Sequence, residues 1–180
     1  MERAAHWNRV HSTKTEQDVS WFEPLPAISI EMLEAAGMTA DSCVLDVGGG
    51  DSHLVDALAA RGLDCLAVLD VSGAALDRAK TRLGPAALTP IWIEADVTRE
   101  WSLKPMDIWH DRAVFHFLTA AEERARYKQH LLETLKPGGT AIIATFALDG
   151  PEKCSGTHRT DWPKNSAPPS SYATRARMST

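Results

Sequence analysis

Four acidic residues stand at or near the ends of short apolar runs, and their spacing is the chemically informative feature of this chain. Asp46 sits in Cys43-Val44-Leu45-Asp46-Val47, just ahead of Gly48-Gly49-Gly50-Asp51-Ser52. Asp70 closes the run that begins at Cys65, Asp96 follows Ile91-Trp92-Ile93-Glu94-Ala95, and Asp111 follows Met106-Asp107-Ile108-Trp109-His110. If these runs are parallel strands, their ends gather along one edge of an open sheet, where such sheets bind ligands. The glycines allow a tight first turn and let a ligand approach the backbone, which a Cβ would obstruct. Asp70 lies 20 residues after Gly50, the separation at which a carboxylate can accept hydrogen bonds from both hydroxyls of a ribose.

The charge pattern bears on which nucleoside the turn would hold. A dinucleotide site is expected to read G-x-G-x-x-G, with backbone amides facing a pyrophosphate. Here His53 takes the place of the third glycine, and Asp46 and Asp51 bracket the turn with negative charge. That suits a ligand carrying an ammonium and a sulfonium, so S-adenosylmethionine is expected over NAD. An NAD-linked oxidoreductase on a similar sheet is the rival reading.

For chemistry beyond binding, Asp111 and His116 are the candidates. Methyl transfer is an in-line displacement on a carbon already activated by the sulfonium, so alignment and exclusion of water carry most of the work. A general base is needed only where the acceptor holds a proton. Asp111 has an equally good structural reading as a cap or ion-pair partner. His116, between Phe115 and Phe117, is read first as a packed residue and second as a base. Trp21 and Phe22 are positioned to form a lid over the site or to join the core. No His or Cys spacing matches a closed zinc site, so no metal is expected.

The elements that would position these residues alternate between strand-like and helix-like from about Cys43 to Ala147, the pattern of a parallel α/β sheet. Five strands are expected, near 43–47, 65–69, 91–95, 106–109 and 141–146. A helix follows the glycine turn with Leu54, Val55 and Leu58 on one face. Ser72 caps the next, whose Ala75, Leu76, Ala79 and Leu83 keep helical spacing until Gly84-Pro85. Thr119 and Glu122 read as a capping box opening a helix through Tyr127, Leu131 and Leu135, which Lys136-Pro137-Gly138-Gly139 ends. Ahead of the core, Ile28 to Ala36 reads as a short helix, and Trp7 to Pro26 shows no clear periodicity. The organisation is therefore a cap or lid over 1–40, a nucleoside-binding core over 41–150 and a tail over 151–180.

After Leu148 the sequence contains no Leu, Ile, Val or Phe. Such a segment buries too little surface to offset its ordering entropy, so the tail is expected to be irregular. The fifth strand would then be left as an open edge, which favours self-association.

Composition narrows the class further. At 44% hydrophobic and 24% charged residues, the chain reads as an ordinary globular protein. No apolar run approaches the ~20 residues that cross a membrane, and the polar N-terminus is unlike a secretory leader. A net charge of −5 without a basic run argues against a nucleic-acid partner. Cys43, Cys65 and Cys154 are odd in number and widely spaced, which argues against a disulfide framework and fits a reducing cytoplasm.

Val44-Leu45-Asp46-Val47-Gly48-Gly49-Gly50-Asp51-Ser52 resembles the first motif of class I S-adenosylmethionine-dependent methyltransferases. Val68-Leu69-Asp70-Val71-Ser72 is similar to the second, Glu94-Ala95-Asp96-Val97 to the third, and Leu135-Lys136-Pro137-Gly138-Gly139 to the turn before the fifth strand. With Asp111-Arg112-Ala113-Val114-Phe115-His116-Phe117-Leu118 and Ser20-Trp21-Phe22-Glu23-Pro24, the chain looks like a group of small bacterial members over about residues 7–156. The resemblance implies a doubly wound, mainly parallel Rossmann-like sheet. It implies that Gly48 and Gly50 line the methionine part of the cofactor and that Asp70 holds the ribose, with Asp46, Gly49, Ser52 and Val71 as further cofactor-binding residues. Asp96 and Val97 would contact the adenine, and Asp111 would lie beside the methyl group. Members normally continue into two further strands, the last antiparallel. Their apparent loss here reads as a truncated or frame-altered end, and makes a cofactor-binding but inactive module the second reading. The acceptor implied is a small molecule or a protein side chain.

Overall fold

The computed structural model describes residues 2–15, 18, 22–112 and 114–145, together with the backbone of 172–177. Its strands are β1 (Val44–Val47), β2 (Leu66–Asp70), β3 (Ile91–Glu94), β4 (Met106–Arg112), β5 (Leu135–Thr145) and β6 (Tyr172–Arg177). They form one sheet in the order β3-β2-β1-β4-β5-β6. The first five run parallel and β6 is antiparallel to β5. From β1 the chain winds outward through β2 and β3, then returns to place β4 on the other side of β1. That reversal opens a crevice at the C-terminal ends of β1 and β4.

Because side chains alternate across a strand, each strand feeds two cores. On one face α2 (Ala27–Ala35), α3 (Leu54–Ala60) and α4 (Gly73–Leu83) bury Leu33, Leu54, Leu58 and Leu76 with Val44, Val68, Ile108 and Ile142. On the other, α5 (Ala121–Thr134) brings Tyr127 against Leu45, Leu69, Trp109 and Ala141. All four residues of β1 are buried, which is why this central strand reads as an apolar run rather than an alternation. The same alternation puts His110 and Arg112 on one face of β4 and Trp109 and Asp111 on the other.

Several expectations hold closely. The Ser72 hydroxyl accepts from the Ala75 N–H at 3.2 Å and caps α4, and Ala75, Leu76 and Ala79 are buried as their spacing required. Gly84 ends α4 with φ +58°.

Others are corrected. The capping box expected from Thr119 and Glu122 does not form: α5 starts after Ala120, whose methyl cannot cap, and only the reverse bond is made, from the Ala120 N–H to Glu123 at 3.4 Å. Residues Glu2–Thr13 form a helix, α1, where no periodicity was expected beyond Trp7. Its signal is the sparse set Arg3, Trp7 and His11, four residues apart, which is too polar to stand out as an apolar stripe.

The tail is corrected at 172–177. The backbone of Tyr172–Arg177 pairs with β5 from Thr140↔Arg177 to Thr145↔Tyr172. An edge strand draws its stability from main-chain hydrogen bonds and needs few large aliphatic side chains, so apolar content was the wrong criterion. The β5 edge is covered over this register, which removes the premise from which self-association was expected.

The cysteine reading is also corrected. Cys43 and Cys65 form a disulfide, with Cα atoms 4.5 Å apart. They immediately precede Val44 and Leu66, which are cross-strand partners of β1 and β2, so sheet register joins residues that spacing kept 22 apart. Among the described residues no helix is long and apolar enough to cross a membrane.

Candidate functional site

A cavity of about 320 Å³ opens where the C-terminal ends of β1, β2 and β4 meet α1. Asp46, Gly48, Gly49, Gly50 and Ser52 line it from the first turn, Asp70 and Val71 from the end of β2, and Asp96 and Val97 from the loop after β3. The residues expected to hold a nucleoside thus converge on one space. Phe22 also lines it, its ring edge-on to His53 at 5.5 Å. Trp21 lies outside the described residues.

Two features make the turn dependent on glycine. Gly48 has φ +71°, and a Cβ there would lie 2.0 Å from the Val114 side chain. Gly50 has φ +41°, and its Cβ would lie 2.7 Å from Asp70 Oδ2. The turn is therefore packed directly against the carboxylate that ends β2. Gly48→Ala is expected to cost about 1–2 kcal/mol in backbone strain before the Val114 contact is relieved. It should lower the melting temperature and weaken nucleoside binding about tenfold. An unchanged calorimetric isotherm would show that this turn does not carry the ligand.

Electrostatics distinguish the carboxylates. Asp70 accepts from the Ser72 N–H at 2.8 Å. Its pKa is nevertheless pushed up to about 7, chiefly by loss of hydration and further by Asp46 nearby. Asp96 accepts from the Thr98 N–H and hydroxyl at 2.9 and 2.7 Å and pairs with Arg3 at 3.0 Å. Burial opposes its charge, and the bonds from Thr98 and the Arg3 guanidinium outweigh that and hold its carboxyl below the usual range. Asp51 is paired with Arg78 at 3.1 Å and Arg82 at 2.7 Å. Its charge is thus largely answered within the protein, and the argument against a pyrophosphate rests on Asp46 and the missing third glycine.

The two catalytic candidates do not line the cavity. Asp111 is fully buried on the opposite face of β4. Its oxygens accept from the Val114 N–H at 2.8 Å, the Phe115 N–H at 3.2 Å and the Tyr127 hydroxyl at 2.6 Å. It caps the 3-10 turn at Phe115–Phe117 and anchors α5, so its placement beside a methyl group is overturned by strand alternation. His116, in that turn, is buried against Phe117, with ring centroids 4.1 Å apart. Burial lowers its pKa to about 4, so it is neutral and enclosed rather than facing a ligand.

Sequence reasoning passed over the residues that do face the cavity from β4 and α1. His110 Nδ1 lies 2.8 Å from Asp46 Oδ1, both groups being buried. Arg112 makes a two-pronged ion pair with Glu23, one arm at 2.7 Å. On α1, Arg3, Trp7 and His11 line the same space, and the Asn8 side chain accepts from the Ser72 hydroxyl at 2.8 Å. The i, i+4, i+8 spacing of Arg3, Trp7 and His11 was the available signal for α1. The alternation of His110 with Asp111 was the signal for β4.

A profile described as a methyltransferase domain matches residues 44–139, more than half of the 180 residues. This chain belongs to the methyltransferase domain family. An uncharacterized methyltransferase of Mycobacterium tuberculosis (strain ATCC 25618 / H37Rv) is 32% identical over 133 residues, which cover 73% of this chain and 64% of that protein. EEF1A lysine methyltransferase 2 of Danio rerio is 28% identical over 64% of this chain and 53% of its own length. The chain thus spans less than two thirds of the length of these relatives. Among solved structures, the N-methyltransferase NodS of Bradyrhizobium japonicum WM9 in complex with S-adenosyl-L-homocysteine superposes with a TM-score of 0.62. Its identity is 19%, over 76% of this chain and 71% of that one. A structure titled for a DhpI-SAM-HEP complex gives a TM-score of 0.65 at 14% identity, over 82% and 66%. These likenesses establish the Rossmann-like methyltransferase fold. Within that family the matched segment contains the first turn, Asp70, Asp96 and the β4 residues of the cavity.

Proposed function

We propose that this methyltransferase domain binds S-adenosylmethionine in the cavity at the ends of β1, β2 and β4 and transfers its methyl group to a small-molecule or protein acceptor. The observation that carries the reading is the convergence of Asp46, the Gly48–Gly50 turn, Asp70 and Asp96 on one space of cofactor size. When bound, S-adenosylmethionine supplies a methyl group already activated by its sulfonium. The chain's own residues hold and orient. Asp70 would accept from the ribose hydroxyls, Val71 and Val97 would sandwich the base, and Asp96 would accept from the adenine amino group after exchanging Arg3. The glycine turn would admit the methionine portion to the backbone. Helix α1, with Trp7 edge-on to Phe117 at 5.4 Å, would exclude water from the reacting end, joined by Phe22 as a lid residue.

Solved structures of the same fold in complex with S-adenosyl ligands support the cofactor, and the acidic balance of the chain favours an acceptor other than nucleic acid. Calorimetric titration with S-adenosylmethionine, with NAD as control, tests the binding half. Micromolar binding of the first and none of the second is expected, and the reverse selectivity would replace the reading with an NAD-linked one. Transfer of a radiolabelled methyl group into extract fractions tests the catalytic half. Binding without transfer would favour an inactive module.

A further inference from the structure

The geometry points to His110 as a positioning residue: it fixes the Asp46 carboxylate so that the site recognises the ammonium-bearing end of an S-adenosyl ligand. This inference rests on the cofactor reading above and adds to it a residue outside the glycine turn.

Its basis is the Asp46–His110 pair itself. The two residues are cross-strand partners of β1 and β4, on the strands that flank the crevice, and both line the cavity. Asp46 Oδ1 takes a hydrogen bond from His110 Nδ1 at 2.8 Å. Asp46 Oδ2 points beneath the turn, 2.5 Å from where a Cβ on Gly49 would stand, so only glycine leaves room for it there. Oδ1 is thus fixed by His110, and Oδ2 lies under the turn. Its charge reaches the rest of the site, raising the pKa values of both Asp70 and Arg112.

A carboxylate with 3% exposure is costly unless it is hydrogen-bonded and its charge is used. His110 supplies the bond, and the Arg112 guanidinium that feels the charge is itself engaged by Glu23, so a ligand ammonium can answer the Asp46 carboxylate. The other ring nitrogen, Nε2, is sealed from solvent and has no hydrogen-bond partner among the described residues. Being sealed, it cannot reach an acceptor molecule to take its proton, so the imidazole works through Asp46. A buried histidine with a bare Nε2 is costly to keep, so the bond to Asp46 is the polar contact that this imidazole makes among the described residues.

The test compares two probes that differ at the amino-acid end: S-adenosylhomocysteine, which carries the ammonium, and 5′-methylthioadenosine, which lacks it. Both are titrated calorimetrically into the full chain and into His110→Leu and His110→Asn variants whose folding is verified by thermal melting. Asn can donate to Asp46 from nearly the same position, whereas Leu cannot. His110→Leu is expected to weaken S-adenosylhomocysteine by about tenfold, the equivalent of one hydrogen bond, while leaving 5′-methylthioadenosine unchanged. His110→Asn is expected to recover most of the loss. Equal affinity of wild type and His110→Leu for S-adenosylhomocysteine would overturn the inference. So would an equal loss for both probes, which marks a general structural role. Wild-type protein that binds neither probe would bring down the cofactor reading itself and this inference with it.

Discussion

Asp70→Ala is expected to reduce S-adenosylmethionine affinity by at least about a hundredfold, because two hydroxyl groups lose a charged acceptor worth about 1.5–3 kcal/mol for each hydrogen bond. The same carboxylate gives wild-type binding a distinct pH dependence. Asp70 in the empty site has its pKa pushed up to about 7 by burial and by Asp46, while a ribose donating two hydrogen bonds favours the ionised form. Binding below neutrality therefore releases a proton. Affinity should rise with pH up to about 7 and level off above it, falling by as much as tenfold per unit on the acid side. Titration in two buffers of different ionisation enthalpy at pH 6 reads the released proton directly. Affinity that is flat from pH 5.5 to 8 would mean that Asp70 does not face the ribose, or that the ligand does not need it ionised.

That Asp70 lines the cavity while Asp111 turns to the other side of the sheet shows what a linear pattern conveys. Strand runs ending in Asp identify the edge of the sheet, and the edge carries the site; β1, β2 and β4 each deliver a cavity residue as their ends required. Which of two neighbouring residues turns inward depends on the pleat. Here β4 runs Ile108-Trp109-His110-Asp111-Arg112, with apolar and polar residues on both faces, so composition offers no phase. The register with β1, Asp46↔His110, sets it. The disulfide and β6 were hidden for a related reason. Cys43 and Cys65 meet only because β1 and β2 align, and Tyr172–Arg177 is held by main-chain pairing that leaves little trace in side-chain type. Helix α1 is different: its signal was present in Arg3, Trp7 and His11 but weak against a polar background.

One consequence of the pleat is that the sheet separates two jobs that the sequence lists side by side. The face bearing His110 and Arg112 presents charge to the cavity, and the face bearing Trp109 and Asp111 locks α5 and the 3-10 turn in place. Because Phe117 and Val114 beside that turn also line the cavity, and Val114 packs against Gly48, the lock determines the shape of the wall next to the glycine turn. Stability on one face and site geometry on the other are coupled through four consecutive residues.

The severest loss of stability is accordingly expected from Asp111→Ala. The substitution removes the acceptor of the Val114 and Phe115 N–H groups and of the Tyr127 hydroxyl, which itself accepts from Trp109 Nε1 at 2.9 Å. Buried donors left without partners, within a network that shares a charge, place the cost at about 3–5 kcal/mol, a large part of the ~5–15 kcal/mol available to a domain. Asp111→Asn keeps an acceptor and the shape, and should cost much less while changing the pH response. In the folded protein burial pushes the Asp111 pKa up to about 6, from 3.8, against the opposing hydrogen bonds from Tyr127 and Val114. Between about pH 4 and 6 the folded state therefore holds more protons at this position than the unfolded chain, so its contribution to stability falls as pH rises through that window. Urea unfolding of wild type and Asp111→Asn at pH 4.5 and 7 isolates this contribution. The difference in stability between the two proteins should shift in favour of Asn at the higher pH. If it stays constant, the carboxylate keeps the same protonation state across the window and the network is held by a neutral or fully compensated Asp111 throughout.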